Sequence, residues 1–244
     1  MIPLKDDIPT RRFPVMTVVF IALNVAIFLF QLASGLPRSV GWLGMVPKEV
    51  LSGRDAAPLA LVPPVLTVVT SMFAHGGVMH LVGNMLFLWI FGNNVEDDVG
   101  RVKFVLFYFL VGGAAAGAQI AVSPDSTIPM VGASGAVAGI LGAYLLLYPH
   151  ARVLTLVPIF VFIRLIWIPA VVFLVLWFVA QVFGLFGSEA GGVAFWAHIG
   201  GFVAGVALIK PFAGRIWRTD EEGGWKKAAA RSPGVSVRGP WRNF

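Results

Sequence analysis

Long apolar segments, separated by short stretches that carry most of the charge, constrain this chain more than any other feature of its sequence. A helix that crosses the hydrocarbon core of a bilayer needs about 20 mostly apolar residues. Segments of about that length occur at roughly 13–32, 68–91, 104–122, 132–148, 166–186 and 193–209. Only 12% of the residues are charged, whereas soluble domains carry about 25%. We therefore predict an all-α integral membrane protein built around six spanning helices.

The remaining segments divide the chain into three parts. Residues 1–12 form a short cytoplasmic N-terminal segment, 13–210 the membrane domain, and 211–244 a basic cytoplasmic tail that we predict to be flexible. Within the domain, the long first loop (33–66) contains amphipathic patches between prolines. We expect part of this loop to be embedded in the membrane.

Two segments that border the predicted spans also need an interpretation. Residues 154–163 are apolar but contain Pro158, and we interpret them as the beginning of the fifth span. The acidic trio Glu96–Asp98 closes the second span, and we interpret it as a solvated helix end rather than a site.

The distribution of Lys and Arg predicts how the chain lies in the membrane. An even number of spans places both termini on one side, which then carries Lys5, Arg101, Arg152 and the basic tail. Basic residues favour the cytoplasmic side, so both termini are predicted to be cytoplasmic. The short termini and the lack of a recognisable targeting segment favour a multi-pass protein of the bacterial inner membrane.

The composition argues against several classes of function. The chain has no cysteine, which excludes disulfides and thiolate chemistry. With four scattered histidines and few carboxylates, we predict neither a metal site nor a cofactor. Much of the net charge of +6 comes from the tail, where it suits a surface of anionic lipids, so we expect no nucleic-acid partner.

Several polar side chains fall at corresponding places in spans two, four and six. Ser134 lies at the start of span four, His198 near the start of span six, and His75, His80 and Asn84 in the first half of span two. Since alternate spans run in the same direction, we expect all five in the outer leaflet at similar depth. Ionisable residues inside a membrane are costly and are by default candidates for a functional site.

Ser134 has two interpretations. Gly135, Gly139 and Ala143 recur at the i, i+4 spacing that lets helices approach closely, and a serine among them can serve packing alone. Alternatively, its hydroxyl is a nucleophile, because the free N–H groups at a helix N-terminus can stabilise an oxyanion.

The histidines leave alternatives open as well. His198 either makes an interhelical hydrogen bond or acts as the general base for Ser134. His75, His80 and Asn84 form a structural polar network, a set of oxyanion-stabilising donors or a proton relay. No Asp or Glu lies in the outer half of the predicted bundle near these groups. Catalysis would therefore use a serine–histidine dyad rather than a triad.

Together and in this order, these motifs resemble those of the rhomboid family of intramembrane serine proteases. The similarity covers about residues 71–208. It consists of His75, His80 and Asn84; Asn93, Asn94, Val95 and Glu96; Gly132, Ala133, Ser134 and Gly135; and Ala197, His198, Ile199, Gly200, Gly201 and Gly205. The resemblance implies a six-helix rhomboid-like bundle.

The resemblance also implies roles for individual residues. Ser134 would be the nucleophile and His198 the general base and acid. The side chains of His80 and Asn84, with the backbone N–H of Ser134, would form the oxyanion hole, and His75 would support the network beside it. Close helix packing near the site would depend on Gly132, Gly135, Gly201 and Gly205.

One segment of this chain corresponds to the family's capping loop, and at two places the residues differ from those that the family usually has. The family's loop before span six caps the site and is thought to move with span five; here it corresponds to about 184–194. The family usually has Tyr or Phe four residues after the serine, stacked on the histidine, but this chain has Ala138, so another group must orient His198. Where many members have Trp-Arg before span two, this chain has Leu66 and Thr67.

From these observations we predict an intramembrane serine endopeptidase that cleaves transmembrane helices of other membrane proteins near their outer ends. Because a helix hides its carbonyls in hydrogen bonds, such cleavage requires local unwinding. Two alternatives stay open: a non-catalytic membrane protein that binds helices on the same scaffold, and a proton-coupled transporter, a class that usually has repeated halves.

Overall fold

The computed structural model describes residues 1–54, 61–159, 162–186, 194–213, 217–219 and 225–227. The helices are α1 (Val15–Ser34), α2 (Leu36–Leu43), α3 (Pro47–Ser52), α4 (Pro64–Thr70), α5 (Val78–Phe87), α6 (Asn93–Val99), α7 (Arg101–Val122), α8 (Ser134–Leu147), α9 (Ala170–Gly184) and α10 (Phe195–Phe212), and a π-helical turn (Leu88–Gly92) joins α5 to α6. The strands are β1 (Ile2–Asp6), β2 (Arg152–Ile159), β3 (Phe162–Pro169), β4 (Trp217–Thr219) and β5 (Trp225–Lys227).

The chain divides into two units, Met1–Phe212 and Ala213–Phe244. The first unit contains the helices and the strands β1 to β3. In the second unit, β4 and β5 pair in antiparallel fashion. Most of the tail that we predict to be flexible lies outside the described residues.

Within the described ranges, four helical segments are long and apolar enough to cross a membrane: α1, the continuous segment Val78–Val99, α7 and α10. Helices α8 and α9 are apolar but shorter, with 14 and 15 residues. At about 1.5 Å per residue they measure roughly 21 and 23 Å, less than the hydrocarbon core of about 30 Å. Because the other four segments are long and apolar enough to span, the chain is a predominantly helical membrane protein.

The second predicted span, at 68–91, has the wrong beginning. Helix α4 ends at Thr70, and a loop separates it from α5, which begins at Val78. Gly76 and Gly77 lie in this loop, and glycine has a low helix propensity. The span then continues through the π-helical turn as far as Val99.

A three-stranded antiparallel sheet shows that the chain is not all-α. Its order is β1-β2-β3, and β2 pairs with β3 from Arg152↔Pro169 to Ile159↔Phe162. Residues 154–159 thus belong to β2 and residues 162–163 to β3, and not to the beginning of the fifth span, which is a correction to our interpretation. Pro158 and Pro169 disfavour helix here, while the β-branched residues of the segment suit strands.

Helix α8 packs against α7 and α10, which also pack against each other, and its side chains from Ala136 to Tyr144 are buried. Glycines allow the close approach on both sides. A Cβ atom on Gly205 of α10 would lie 2.7 Å from the carbonyl carbon of Gly139 on α8. A Cβ on Gly135 would lie 2.7 Å from the Cβ of Ala115 on α7. The first contact fixes α8 relative to α10, and the second fixes it relative to α7.

Glu96 is not solvated, contrary to our interpretation of the acidic trio. Its side chain is only 3% exposed and caps the N-terminus of α1. Its carboxylate accepts hydrogen bonds from the N–H groups of Met16 (2.9 Å) and Thr17 (2.7 Å) and from the Thr17 hydroxyl (2.8 Å). The carboxylate thus satisfies donors that the first turn of any helix leaves free, at its positive end. Asp97 and Asp98 each form an ion pair with Arg11, with N–O distances of 3.1 Å.

Candidate active site

Ser134 is the first residue of α8, and the segment before it is held in place by backbone hydrogen bonds. Met45 and Met130 exchange N–H to carbonyl bonds of 2.9 and 2.8 Å, which tie this segment to the first loop. The N–H of Gly132 donates to the carbonyl of Ser71 at 2.8 Å. No side chain caps α8 in the described structure, so the free N–H groups of its first turn remain available beside the serine hydroxyl.

His198 lies in the first turn of α10 and meets Ser134 directly. Its Nε2 atom is 2.8 Å from the Ser134 Oγ, and both residues are partly exposed. The close packing of α8 against α10 places the two side chains opposite each other. This distance is within the range expected for a nucleophile and its general base.

The other ring nitrogen of His198 contacts a residue that the sequence analysis missed. Its Nδ1 atom lies 2.7 Å from Oε1 of Gln181 on α9. Trp177, one turn earlier on α9, has its ring centroid 6.0 Å from that of His198. Gln181 is the one amide side chain in the apolar run 170–186, a signal that could have drawn attention to it. Ala138, which stands where the family usually has an aromatic residue, is fully buried.

His80 lies on α5 and approaches the serine from the other side. A Cβ atom on Gly132 would lie 2.7 Å from the His80 Nε2 and 3.5 Å from the Ser134 Oγ, so the missing side chain leaves room between them. Gly132 also has a φ of +127°, which favours glycine. The N–H of Gly76 is 3.4 Å from the His80 Nδ1, a contact that assigns the ring proton to Nε2, on the side of the serine.

Asn84 and His75 both contact His80. Asn84 is buried and its side-chain Nδ2 donates to the His80 carbonyl at 3.1 Å, but no described contact joins it to Ser134. His75 is fully buried, with its ring centroid 5.2 Å from that of His80. The backbone of His75 is held from both sides by Gln31 of α1, which donates to its carbonyl (3.2 Å) and accepts from its N–H (2.8 Å).

The site is exposed on the side of α5. His80 is exposed, while Ser134 and His198 are partly exposed, and a narrow cavity beside the serine is lined by Ser71, Gly132, Gly135 and other small residues. Most of the segment at 184–194 that would cap the site lies outside the described residues. Within the described ranges, no group of three or more His, Cys, Asp or Glu residues could hold a metal ion. Around the serine the structure brings together a hydroxyl, an imidazole and N–H donors, which are the kinds of group that acyl transfer needs.

The chain is similar in sequence to a known protein family and to several of its named members. The model of the Rhomboid domain matches residues 63–215. Rhomboid protease GluP of Bacillus subtilis is 32% identical over 82% of this chain and 36% of its own length. RHOMBOID-like protein 4 of Arabidopsis thaliana is 30% identical over 84% of this chain and 55% of its own length. Rhomboid protein 1, mitochondrial, of Saccharomyces cerevisiae is 32% identical over 56% of this chain and 38% of its own length. The chain thus spans between about a third and just over half of these relatives.

Proposed function

Because this chain belongs to the rhomboid family, we propose that it is an intramembrane serine endopeptidase with Ser134 as nucleophile and His198 as general base. The single observation that carries the proposal is the 2.8 Å contact between the Ser134 Oγ and the His198 Nε2. The family match covers both residues and, among the curated relatives, a B. subtilis protein is named a protease.

In the proposed reaction, the Ser134 Oγ attacks the carbonyl carbon of the scissile peptide bond. The His198 Nε2 takes the hydroxyl proton and then gives it to the leaving amine nitrogen, so that the peptide C–N bond breaks and an acyl-enzyme forms. Water, activated by the same imidazole, then attacks the ester and releases the acid product with regeneration of Ser134.

The negative oxygen of the tetrahedral intermediate needs hydrogen-bond donors. We assign this role to the Ser134 backbone N–H and to the Nε2–H of His80, which faces the space over Gly132. Asn84 is a third candidate: its Nδ2 carries two hydrogens, and only one is used in the bond to the His80 carbonyl. His75 would hold the His80 ring in place through their edge-to-face contact.

We propose that the substrates are transmembrane helices of other proteins, cut near their outer ends after local unwinding. In this proposal α8 and α9 complete a bundle of six spans, and both termini lie in the cytoplasm of a bacterial cell. Two contacts support the placement of basic residues at one end of the bundle. Arg11 pairs with Asp97, and Lys103 donates to the carbonyl of Phe212 at the end of α10.

A serine-directed fluorophosphonate tests the proposal on the detergent-solubilised protein. We expect wild type to be labelled and to cleave a transmembrane substrate, whereas Ser134→Ala should do neither and His198→Ala should lose turnover while it stays folded. Ser71→Ala is the matched control, since Ser71 lines the same cavity but its hydroxyl bonds to the Val68 carbonyl and not to His198.

Two results would contradict the proposal. One is a folded wild-type protein that takes no label, which favours a helix-binding protein without catalysis. The other is labelling that survives in Ser134→Ala.

A further inference from the structure

The imidazole of His198 is held between two helices by opposite ring nitrogens. Nε2 faces Ser134 on α8, at 2.8 Å, and Nδ1 faces Gln181 on α9, at 2.7 Å. Trp177 and Gln181 are four residues apart and therefore share a face of α9. Both are partly buried on the face that meets α10, whereas Val175 and Phe183 are exposed.

The orientation of the Gln181 amide follows from its second hydrogen bond. Its Nε2 donates to the backbone carbonyl of Trp177 at 3.2 Å, so its Oε1 must be the atom that faces His198. The reverse orientation would put two oxygens against each other and an NH₂ group against the ring. The amide oxygen can only accept, and Nδ1 must therefore carry the proton of the neutral imidazole. The lone pair of the other nitrogen then points at the Ser134 hydroxyl.

We propose that Gln181 is a positioning residue for the general base. It holds His198 in the tautomer and rotation in which Nε2 can accept the serine proton. This inference rests on the proposed protease function and adds to it the residue that replaces the aromatic stack lost at Ala138. A neutral amide suits the role in a membrane because it introduces no net charge, while its oxygen can still stabilise the imidazolium that forms during reaction.

The test compares three variants. Gln181→Leu removes the acceptor at similar size. Gln181→Glu, in its protonated form, keeps both an acceptor oxygen for His198 and a donor for the Trp177 carbonyl. Phe183→Leu is a control on the exposed face of α9, where the side chain is 70% exposed. With a transmembrane substrate, Gln181→Leu should lower kcat by about 10- to 100-fold with KM changed less than about twofold. This loss is smaller than the roughly 10²- to 10⁴-fold that general base catalysis contributes in full, because His198 itself is retained. Gln181→Glu should retain most of kcat, and Phe183→Leu should match wild type.

A second measurement does not depend on activity. The chain has four histidines, so ¹⁵N-histidine NMR in detergent can assign His198 by comparison with the His198→Ala spectrum. Wild type and Gln181→Glu should show the proton on Nδ1, and Gln181→Leu should show a mixture of tautomers.

The proposal is overturned if Gln181→Leu keeps both the wild-type tautomer and a kcat within twofold of wild type. It is equally overturned if Leu and Glu lower kcat alike with a shared loss of thermal stability, since that pattern belongs to a purely structural residue. Failure of the protease function is seen separately, as absence of Ser134-dependent cleavage in every variant, and the NMR result then still decides the role of Gln181.

Discussion

Replacement of Gly205 by alanine is the sharpest test of how the fold builds the site. An added Cβ would lie 2.7 Å from the carbonyl carbon of Gly139 and 2.8 Å from its Cα, with the carbonyl oxygen closer still. Real Cβ atoms essentially never come within 3.0 Å of such neighbours. These are backbone atoms, which cannot rotate away as a side chain would, so α10 must move from α8 by roughly 1 Å.

That displacement has two consequences. Overpacking of this kind costs about 1–3 kcal/mol, and at roughly 2–4 °C per kcal/mol for a chain of this size the Tm should fall by about 2–12 °C. His198 lies two helical turns before Gly205, so it should move with the helix. A shift of about 1 Å stretches the 2.8 Å contact with Ser134 past good hydrogen-bond geometry. We expect a loss of activity of about 10²-fold in protein that is still folded.

The assay measures Tm and the rate of fluorophosphonate labelling, the latter well below the Tm of the variant. Gly117→Ala is the control: Gly117 lies in α7, and its added Cβ would meet no atom within 4 Å. We expect the control to be labelled at the wild-type rate and to have a Tm no lower than that of wild type, because alanine has the higher helix propensity. Wild-type Tm and labelling rate in Gly205→Ala would refute the close approach of the two helices, and a lower Tm with an unchanged labelling rate would refute its link to the site.

Two further predictions concern the end of the first unit where β1 and the start of α1 lie. Glu96→Ala leaves the buried donors of Met16 and Thr17 without an acceptor and should lower the free energy of unfolding by about 3 kcal/mol. Thermal unfolding in detergent measures this change. A Tm within 2 °C of wild type (about 0.5–1 kcal/mol at this chain length) would contradict the prediction. Burial raises the pKa of Asp6 from 3.8 to about 6, against the lowering effect of the hydrogen bond from Tyr144. Because the folded-state pKa is the higher one, the stabilising contribution of a protonated Asp6 is complete below about pH 4 and is lost as the pH rises through about 6. Asp6→Asn should therefore gain stability over wild type by about 2 kcal/mol between pH 4.5 and 7.5, and parallel Tm curves for the two proteins would exclude this.

The sequence was sufficient to predict a predominantly helical membrane protein and the meeting of Ser134 with His198, but it misplaced the beginning of the second span and the entry to the fifth. Hydropathy identifies a spanning helix because the hydrocarbon core requires apolar side chains along the whole length of the helix. Alternate spans run in the same direction, so Ser134 and His198 were expected at similar depth. The structure has them in contact. Their catalytic roles, like that of Asn84, stay predictions.

Other features depend on partners that are distant in sequence. The partner of Glu96 is the start of α1, about 80 residues earlier. Gln181 could not be placed because α9 is apolar on every side, so its sequence does not show which face meets α10. The β2–β3 hairpin was missed because a short apolar run reads equally as a strand or as part of a buried helix, and its pairing with β1 involves the far N-terminus.

The central claim is that the Ser134 hydroxyl and the His198 imidazole form one reactive centre, and an experimental structure of the fluorophosphonate adduct tests it most directly. We predict a phosphorus atom bonded to the Ser134 Oγ, a phosphoryl oxygen within hydrogen-bond distance of the Ser134 N–H and the His80 Nε2, and the His198 ring beside the adduct. An adduct on any other residue, or a His198 ring turned away from Ser134 with another helix between them, would contradict the account.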